Sequence, residues 1–135
     1  MIDQKKKKIS EAQIVKREDL TKDLWKIWLS PSEHFNFKSG QYCTIGLNGI
    51  ERPYSMISSP QEKLIELFIE LIPPPIGVLT PFLYEAREGD KVSIRPRAKG
   101  LFTYKKDYDF HIMVSTTTGV APFVSMLRDY LENPL

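Results

Sequence analysis

The chain has 135 residues and a formal net charge of +2, enough length for one domain with a respectable core. Charge this close to balance leaves no nucleic-acid footprint in the total, and no stretch approaches the roughly 20 apolar residues of a membrane span. The only cysteine, Cys43, excludes an internal disulfide and an iron–sulfur cluster held by thiolates of this chain alone.

The chain opens on a basic tail, residues 1–8, with the run Lys5-Lys6-Lys7-Lys8. That run could touch an acidic partner or a membrane surface, or be a solvated terminus. No apolar run follows it, so no secretory signal is read and a cytoplasmic location is expected. Short strands separated by turn signals then follow, the pattern of a barrel or sandwich. Ser10–Lys16 is the first candidate. In Leu24–Leu29, Trp25, Ile27 and Leu29 share one face and Lys26 takes the other. Gln41–Leu47 follows the Ser39-Gly40 turn and carries Cys43 as a packed residue. Asn48-Gly49 is a hairpin signal leading into the strand of Arg52. Leu64–Ile72 alternates most clearly, Ile65, Leu67, Ile69 and Leu71 against Glu66, Phe68 and Glu70.

Pro73-Pro74-Pro75 stops the sheet, because proline donates no ladder bond. Thr80 reads as an N-cap with Pro81 at the first helical position, for a short helix to about Arg87. Gly89-Asp90 turns into a strand at Lys91–Arg95. Residues 100–109 are irregular and charged, a linker. Phe110–Ser115 is a continuous apolar run, expected to be a strand buried on both faces, with His111 in a structural role. Thr116–Pro122 is a loop. Val120–Leu131 reads as a helix whose apolar stripe is Val120, Phe123, Val124, Leu127 and Leu131. Neither His34 nor His111 has a metal-ligand neighbour at useful spacing, so no metal site is expected.

The most informative stretch is Arg52-Pro53-Tyr54-Ser55, extended to Ser58. On a strand Arg52 and Tyr54 project the same way and Ser55 oppositely. A guanidinium can fork onto a diphosphate, a phenol can lie against a ring, and a hydroxyl can bond a ring nitrogen. A ligand with an anionic middle and a planar end, such as a flavin nucleotide, suits that strip. Taken singly, Arg52 could instead pair with Glu51 or Glu70, and Tyr54 could simply pack. Gly77-Val78-Leu79-Thr80 places a glycine, helix-start amides and a hydroxyl where a phosphate could sit; Thr80 could equally serve only the helix. Thr116–Pro122 opens a helix in the manner of a dinucleotide-binding turn, or of a loop with no ligand.

Arg52-Pro53-Tyr54-Ser55 resembles the R-x-Y-S motif of the ferredoxin–NADP reductase family. Gly40-Gln41-Tyr42 is similar to its G-Q-[FY], Gly77–Thr80 to its G-x-x-[ST], and Gly89-Asp90-Lys91-Val92 to its G-D-x-[VL]. Gly100-Leu101-Phe102 resembles its interdomain loop, and Thr118–Phe123 the end of its nicotinamide-nucleotide loop. The resemblance covers about residues 9 to 133 and implies a mainly β fold: an antiparallel Greek-key barrel of about six strands. A fragment of an α/β nucleotide-binding domain follows. The implied division is a FAD-binding barrel over 9–99, the linker, and an incomplete NAD(P)-binding segment over 110–135.

By that resemblance Arg52 binds the diphosphate, with Pro53 beside it. Tyr54 lies against the isoalloxazine ring, and Ser55 bonds it near N5, the hydride-accepting atom; Tyr54 and Ser55 are the residues nearest the chemistry. Gly77, Val78, Leu79 and Thr80 serve the flavin phosphates, and Thr118 and Gly119 the pyridine nucleotide. The implied cofactor is FAD in preference to FMN, with NAD(P)H as substrate and a ferredoxin or flavodoxin as electron carrier. Two positions depart from the family: Glu70, where a cation is commoner, and Thr117, where glycine is usual. The chain also stops after one strand and one helix of the α/β unit. The expectations are therefore a reductase module completed by a second chain or a lost segment, or a flavin-binding remnant without turnover. A third, from another class, is a barrel that binds partners through its basic tail and a Trp25/Trp28 surface.

Overall fold

The computed structural model describes residues 9–133, so the basic tail 1–8 and residues 134–135 lie outside the described residues. Six strands form one antiparallel sheet: β1 (Ser10–Asp19), β2 (Leu24–Pro31), β3 (Tyr42–Leu47), β4 (Ile50–Ser55), β5 (Ile65–Glu70) and β6 (Lys91–Ile94). They lie in the order β4-β3-β6-β1-β2-β5. The strands expected for the barrel are all present, with ends shifted by a few residues. Asn48 and Gly49 both take positive φ, 52° and 78°, which matches the turn between β3 and β4 to the twist of the two strands. Trp25, Ile27 and Leu29 of β2 and Ile65, Leu67 and Ile69 of β5 fill the interior, as the period of two requires. Trp25 is thus a core residue, edge-on to Tyr84. Trp28 lies under the ammonium groups of Lys16 and Lys26. The two tryptophans do not form one surface.

Curling brings the two ends of the sheet, β4 and β5, back together through a single bridge, Met56 to Leu67. Beyond that bridge the two edges part and leave a seam. Helix α1 (Thr80–Glu85) closes the barrel end beside it, with Leu79 and Leu83 buried in the core. Arg17 holds its C-terminal end. The guanidinium donates to the carbonyls of Leu83, Tyr84 and Ala86 at 3.2, 2.7 and 2.7 Å, where carbonyls lack helical partners and attract a cation.

Past β6 the chain crosses the barrel without regular structure. Gly40 makes the crossing possible: its φ is +96°, and a Cβ there would stand 2.0 Å from the Phe102 carbonyl oxygen. The strand expected over 110–115 is not formed. Phe110, Ile112 and Val114 are 80%, 78% and 80% exposed, because among the described residues no neighbouring strand offers the ladder an extended segment needs. His111 stacks on Tyr104 at 4.5 Å. The helix α2 (Ala121–Glu132) follows a 3-10 turn at Thr117–Val120.

α2 packs on the barrel through a different face from the apolar stripe. Ala121, Pro122, Ser125 and Met126 are buried, while Leu127 and Leu131 are 50% and 76% exposed. Polar anchors choose the face. The Ser125 hydroxyl donates to the Ser58 carbonyl at 2.7 Å and the Ser39 hydroxyl to Asp129 at 2.8 Å. The Arg128 guanidinium reaches Glu66 at 2.6 Å. Glu66, which alternation put on the solvent side, is 3% exposed and shared between Arg128 and Lys26, the latter at 3.3 Å.

Candidate functional site

The seam is the candidate site. Its groove, about 420 Å³, is lined by Arg52, Pro53, Tyr54 and Ser55 on β4, and by Phe68, Glu70 and Ile72 at the end of β5. Thr80, Thr118 and Gly119 complete it. One wall is therefore the most informative stretch of the sequence, and the start of α2 is brought to the same slot. Pro53 fits mid-strand because β4 is an edge, where a missing N–H breaks no ladder.

Arg52 is exposed and donates to the carbonyl of Glu51, its own neighbour, at 2.7 Å. Glu51 itself pairs with Arg95 at 2.6 Å, and among the described residues no carboxylate pairs with Arg52. The alternative of an ion pair to Glu51 or Glu70 is therefore not what the structure holds, and the other guanidinium donors are free for an anion. Tyr54 sits across from Cys43 on the inner face of the sheet and packs against the core. Burial pushes its phenol up to about 12, against the pull of the Arg52 charge, so the hydroxyl stays a donor at neutral pH. Burial likewise pushes the Cys43 thiol up to about 12, which makes it an inert core residue. Ser55 ends β4 half-buried, opposite Tyr42.

The Gly77–Thr80 turn is arranged differently from the expectation. Thr80 is not the N-cap; that position is Leu79, with no side-chain bond, and Thr80 starts the helix with Pro81 after it. The Thr80 hydroxyl donates to the Ile72 carbonyl and accepts from the Ile72 amide, both at 3.0 Å. A hydroxyl has one proton, so Thr80 has none left for a phosphate. At Gly77 a Cβ would lie 1.6 Å from the Ile72 carbonyl oxygen; the glycine admits this chain's own backbone. Leu79 is buried and Val78 is 42% exposed outside the groove. Of the four, only Thr80 lines the slot.

Thr118 and Gly119 do line it. A Cβ at Gly119 would meet only the Ser115 Cβ, at 3.6 Å, so packing does not demand this glycine. Thr117, just before, has φ +46°, a left-handed conformation that suits glycine and strains a β-branched residue.

No family model matches the chain. Curated relatives do. A flavodoxin/ferredoxin–NADP reductase of Buchnera aphidicola is 36% identical over 104 residues, 72% of this chain and 41% of that protein. A ferredoxin–NADP reductase of Pseudomonas aeruginosa is 35% identical over 103 residues, 69% of this chain and 38% of that protein. The crystal structure of a Neisseria gonorrhoeae ferredoxin NADP+ reductase with bound FAD and NADP superposes with a TM-score of 0.80 at 27% identity, over 89% of this chain and 50% of that one. The chain belongs to the ferredoxin–NADP reductase family. It spans about half the length, or less, of the curated reductases it matches. A phthalate dioxygenase reductase shares the fold, with a TM-score of 0.83 at 23% identity.

Of the groove's lining, Arg52, Pro53, Tyr54, Ser55, Thr80, Thr118 and Gly119 are residues the sequence also names as candidates. Phe68 and Ile72 are not singled out by the sequence, and Glu70 is noted there only as a departure from the family and a possible partner of Arg52. The available signal was topological: β5 is the other end of the sheet, and residues at its end must face whatever the seam holds. Arg17 and Glu66 gave no such signal, because their partners lie 66 and 62 residues away.

Proposed function

We propose that this chain is the flavin-holding module of a reductase that moves electrons between NAD(P)H and a ferredoxin- or flavodoxin-type carrier through FAD. The observation that carries the reading is the seam groove, which joins the Arg52–Ser55 strip to Thr118-Gly119 in one slot. The residues fit the cofactor. Arg52 keeps unspent donors for the linked phosphates, Tyr54 presents a protonated phenol beside the slot, and the space at Gly119 is open. When bound, the flavin supplies the redox chemistry, taking a hydride and passing electrons singly.

The chain's part is to bind and orient. Arg52 holds the diphosphate, with Pro53 stiffening its strand. Tyr54 lies against the ring and Ser55 donates or accepts at its edge near N5. Of the Gly77–Thr80 turn, Thr80 alone borders the slot, held there by its latch on Ile72. Thr118 and Gly119 shape the wall nearest the pyridine nucleotide. The division is a barrel over 9–99, a linker over 100–109 and the start of a nucleotide-binding segment from 110. The exposed Phe110, Ile112, Val114, Leu127 and Leu131 are faces that further strands, from a longer chain or a second chain, would cover. No helix among the described residues is long and apolar enough to cross a membrane, and we place the module in the cytoplasm, beside its nucleotide and carrier.

Incubating the purified chain with excess FAD or FMN, then desalting, tests the reading. A retained yellow chromophore with perturbed flavin absorption is expected, and a colourless protein ends it. Arg52→Ala should weaken retention by about 2 kcal/mol, the loss of a charge-assisted contact. A second reading, a flavin-binding subunit without turnover of its own, is favoured by the left-handed Thr117 and the uncovered residues 110–115. NAD(P)H-dependent ferricyanide reduction by the isolated chain separates the two; robust turnover retires the second.

A further inference from the structure

Helix α2 turns a polar stripe, and not its apolar one, to the barrel. Ser125, Arg128, Asp129 and Glu132 fall at i, i+3, i+4 and i+7, one face of a helix. Each is bonded across the joint. Ser125 donates to the Ser58 carbonyl at 2.7 Å, Arg128 pairs with Glu66 at 2.6 Å, and Glu132 accepts from the Ser59 hydroxyl at 3.1 Å. Asp129 accepts from Ser39 at 2.8 Å and from Gln61 at 2.9 Å. Among the described residues no backbone hydrogen bond joins α2 to the barrel. A joint of this make separates more readily than an apolar one, because water replaces each of its bonds.

Glu66 is the group that would oppose separation, since a carboxylate left buried without its partner is costly. Lys26 removes that obstacle. It lies 3.3 Å from Glu66 on strand β2, so the carboxylate keeps a cation whether α2 is on the barrel or off it. The joint therefore has two tolerable states, the requirement for a switchable element. One wall of the groove belongs to the same piece of chain. The turn Thr117–Val120, which supplies Thr118 and Gly119, runs straight into α2. Residues 110–116 before it have no regular structure and do not brace it. Arg128 stands roughly 14 Å along this piece from Gly119. We propose that Arg128 is a positioning residue: its pair with Glu66 holds α2 docked, and when the pair opens the helix leaves the barrel as a unit and takes the Thr118–Gly119 wall with it. The consequence for the groove rests on the flavin reading; the docking itself does not.

Hydrogen exchange on the full chain, with timed release of bound FAD, tests it in the wild type, Arg128→Gln and Arg128→Lys. In the wild type the amides of α2 should exchange together and ahead of those in β2 and β5. Arg128→Gln should speed α2 about tenfold and leave the barrel strands within about twofold, because Lys26 still serves Glu66. Unchanged barrel strands also show that the variant folds. FAD should leave Arg128→Gln about threefold faster. Both effects should shrink in Arg128→Lys, which restores the cation, and at high salt, which weakens the wild-type pair. An α2 that keeps its wild-type exchange in Arg128→Gln, or barrel strands that speed up with it, overturns the proposal. So does unchanged FAD release beside a faster α2. A wild-type chain that retains no FAD overturns the flavin reading and the wall's role with it, and the exchange rates still decide the docking.

Discussion

Strand β5 and residues 110–115 are both rich in apolar side chains, and their fates differ. In β5, Ile65, Leu67 and Ile69 are at most 3% exposed, and β2 pairs with the strand along its whole length. In 110–115 the apolar side chains face solvent, and among the described residues no backbone ladder engages the segment. An extended run becomes a strand only where a neighbour takes its N–H and C=O groups. Apolar content is a local property, and a ladder is not. The same contrast separates the barrel, closed on its own core, from the crossing segment and α2, which leave apolar faces uncovered.

The largest test deletes equivalent groups from both regions. Leu67→Ala should cost about 4 kcal/mol in urea unfolding, through lost burial and a cavity, while Ile112→Ala should stay within about 0.5 kcal/mol. A large cost at Ile112 would show that the segment is packed in solution, against a second chain or further sequence. Next comes the joint between the two regions. Glu66→Gln leaves Lys26 and Arg128 without their shared carboxylate and should cost about 3 kcal/mol, the low end for a buried pair, since both cations keep some solvent. Hydrogen exchange should show α2 losing protection before the barrel strands. Equal loss everywhere would mean that Glu66 serves the barrel alone.

A smaller effect sits at the groove. Folding raises the Tyr54 pKa from 10.0 to about 12 because burial disfavours phenolate. The stabilisation from its neutral form is complete below pH 10 and disappears as pH rises towards 12. With part of the ring in solvent, it should amount to at most about 2 kcal/mol. A phenolate absorbance titration should show one late-titrating tyrosine, absent in Tyr54→Phe. A late-titrating component that persists in Tyr54→Phe would show that Tyr54 is not its source and that its phenol is hydrated.

The barrel was legible because its cues are local: the alternation of β5, the Asn48-Gly49 turn and the prolines that end the sheet. The groove was half legible. Arg52, Tyr54 and Ser55 follow one another on one strand, so their juxtaposition needs no tertiary knowledge. Phe68 enters only through the meeting of the sheet's two ends, which also shows that Glu70, noted in the sequence as a departure, lines the groove. Thr80 shows a different failure. Its place before a proline suggested a cap, yet the nearby Ile72 backbone, unpaired after β5, took the hydroxyl first. For α2, hydropathy ranked Leu127 and Leu131 above Ser125, and the Ser58 carbonyl reversed that order.

Thr117 offers the finest adjustment, at the point where the crossing segment meets the groove. It is exposed with φ +46°, so its side chain gives little packing and its Cβ strains the backbone. Glycine relieves that strain but enlarges the unfolded ensemble. The two terms oppose, and the strain is larger for a β-branched residue. Thr117→Gly should therefore stabilise by about 1 kcal/mol, Thr117→Asn by less, and Thr117→Val should not stabilise at all. The gain should appear as slower exchange of the first amides of α2 as well as in the unfolding midpoint. If glycine destabilises, the turn at 117 has another conformation in solution, and the wall that Thr118 and Gly119 give the groove goes with it.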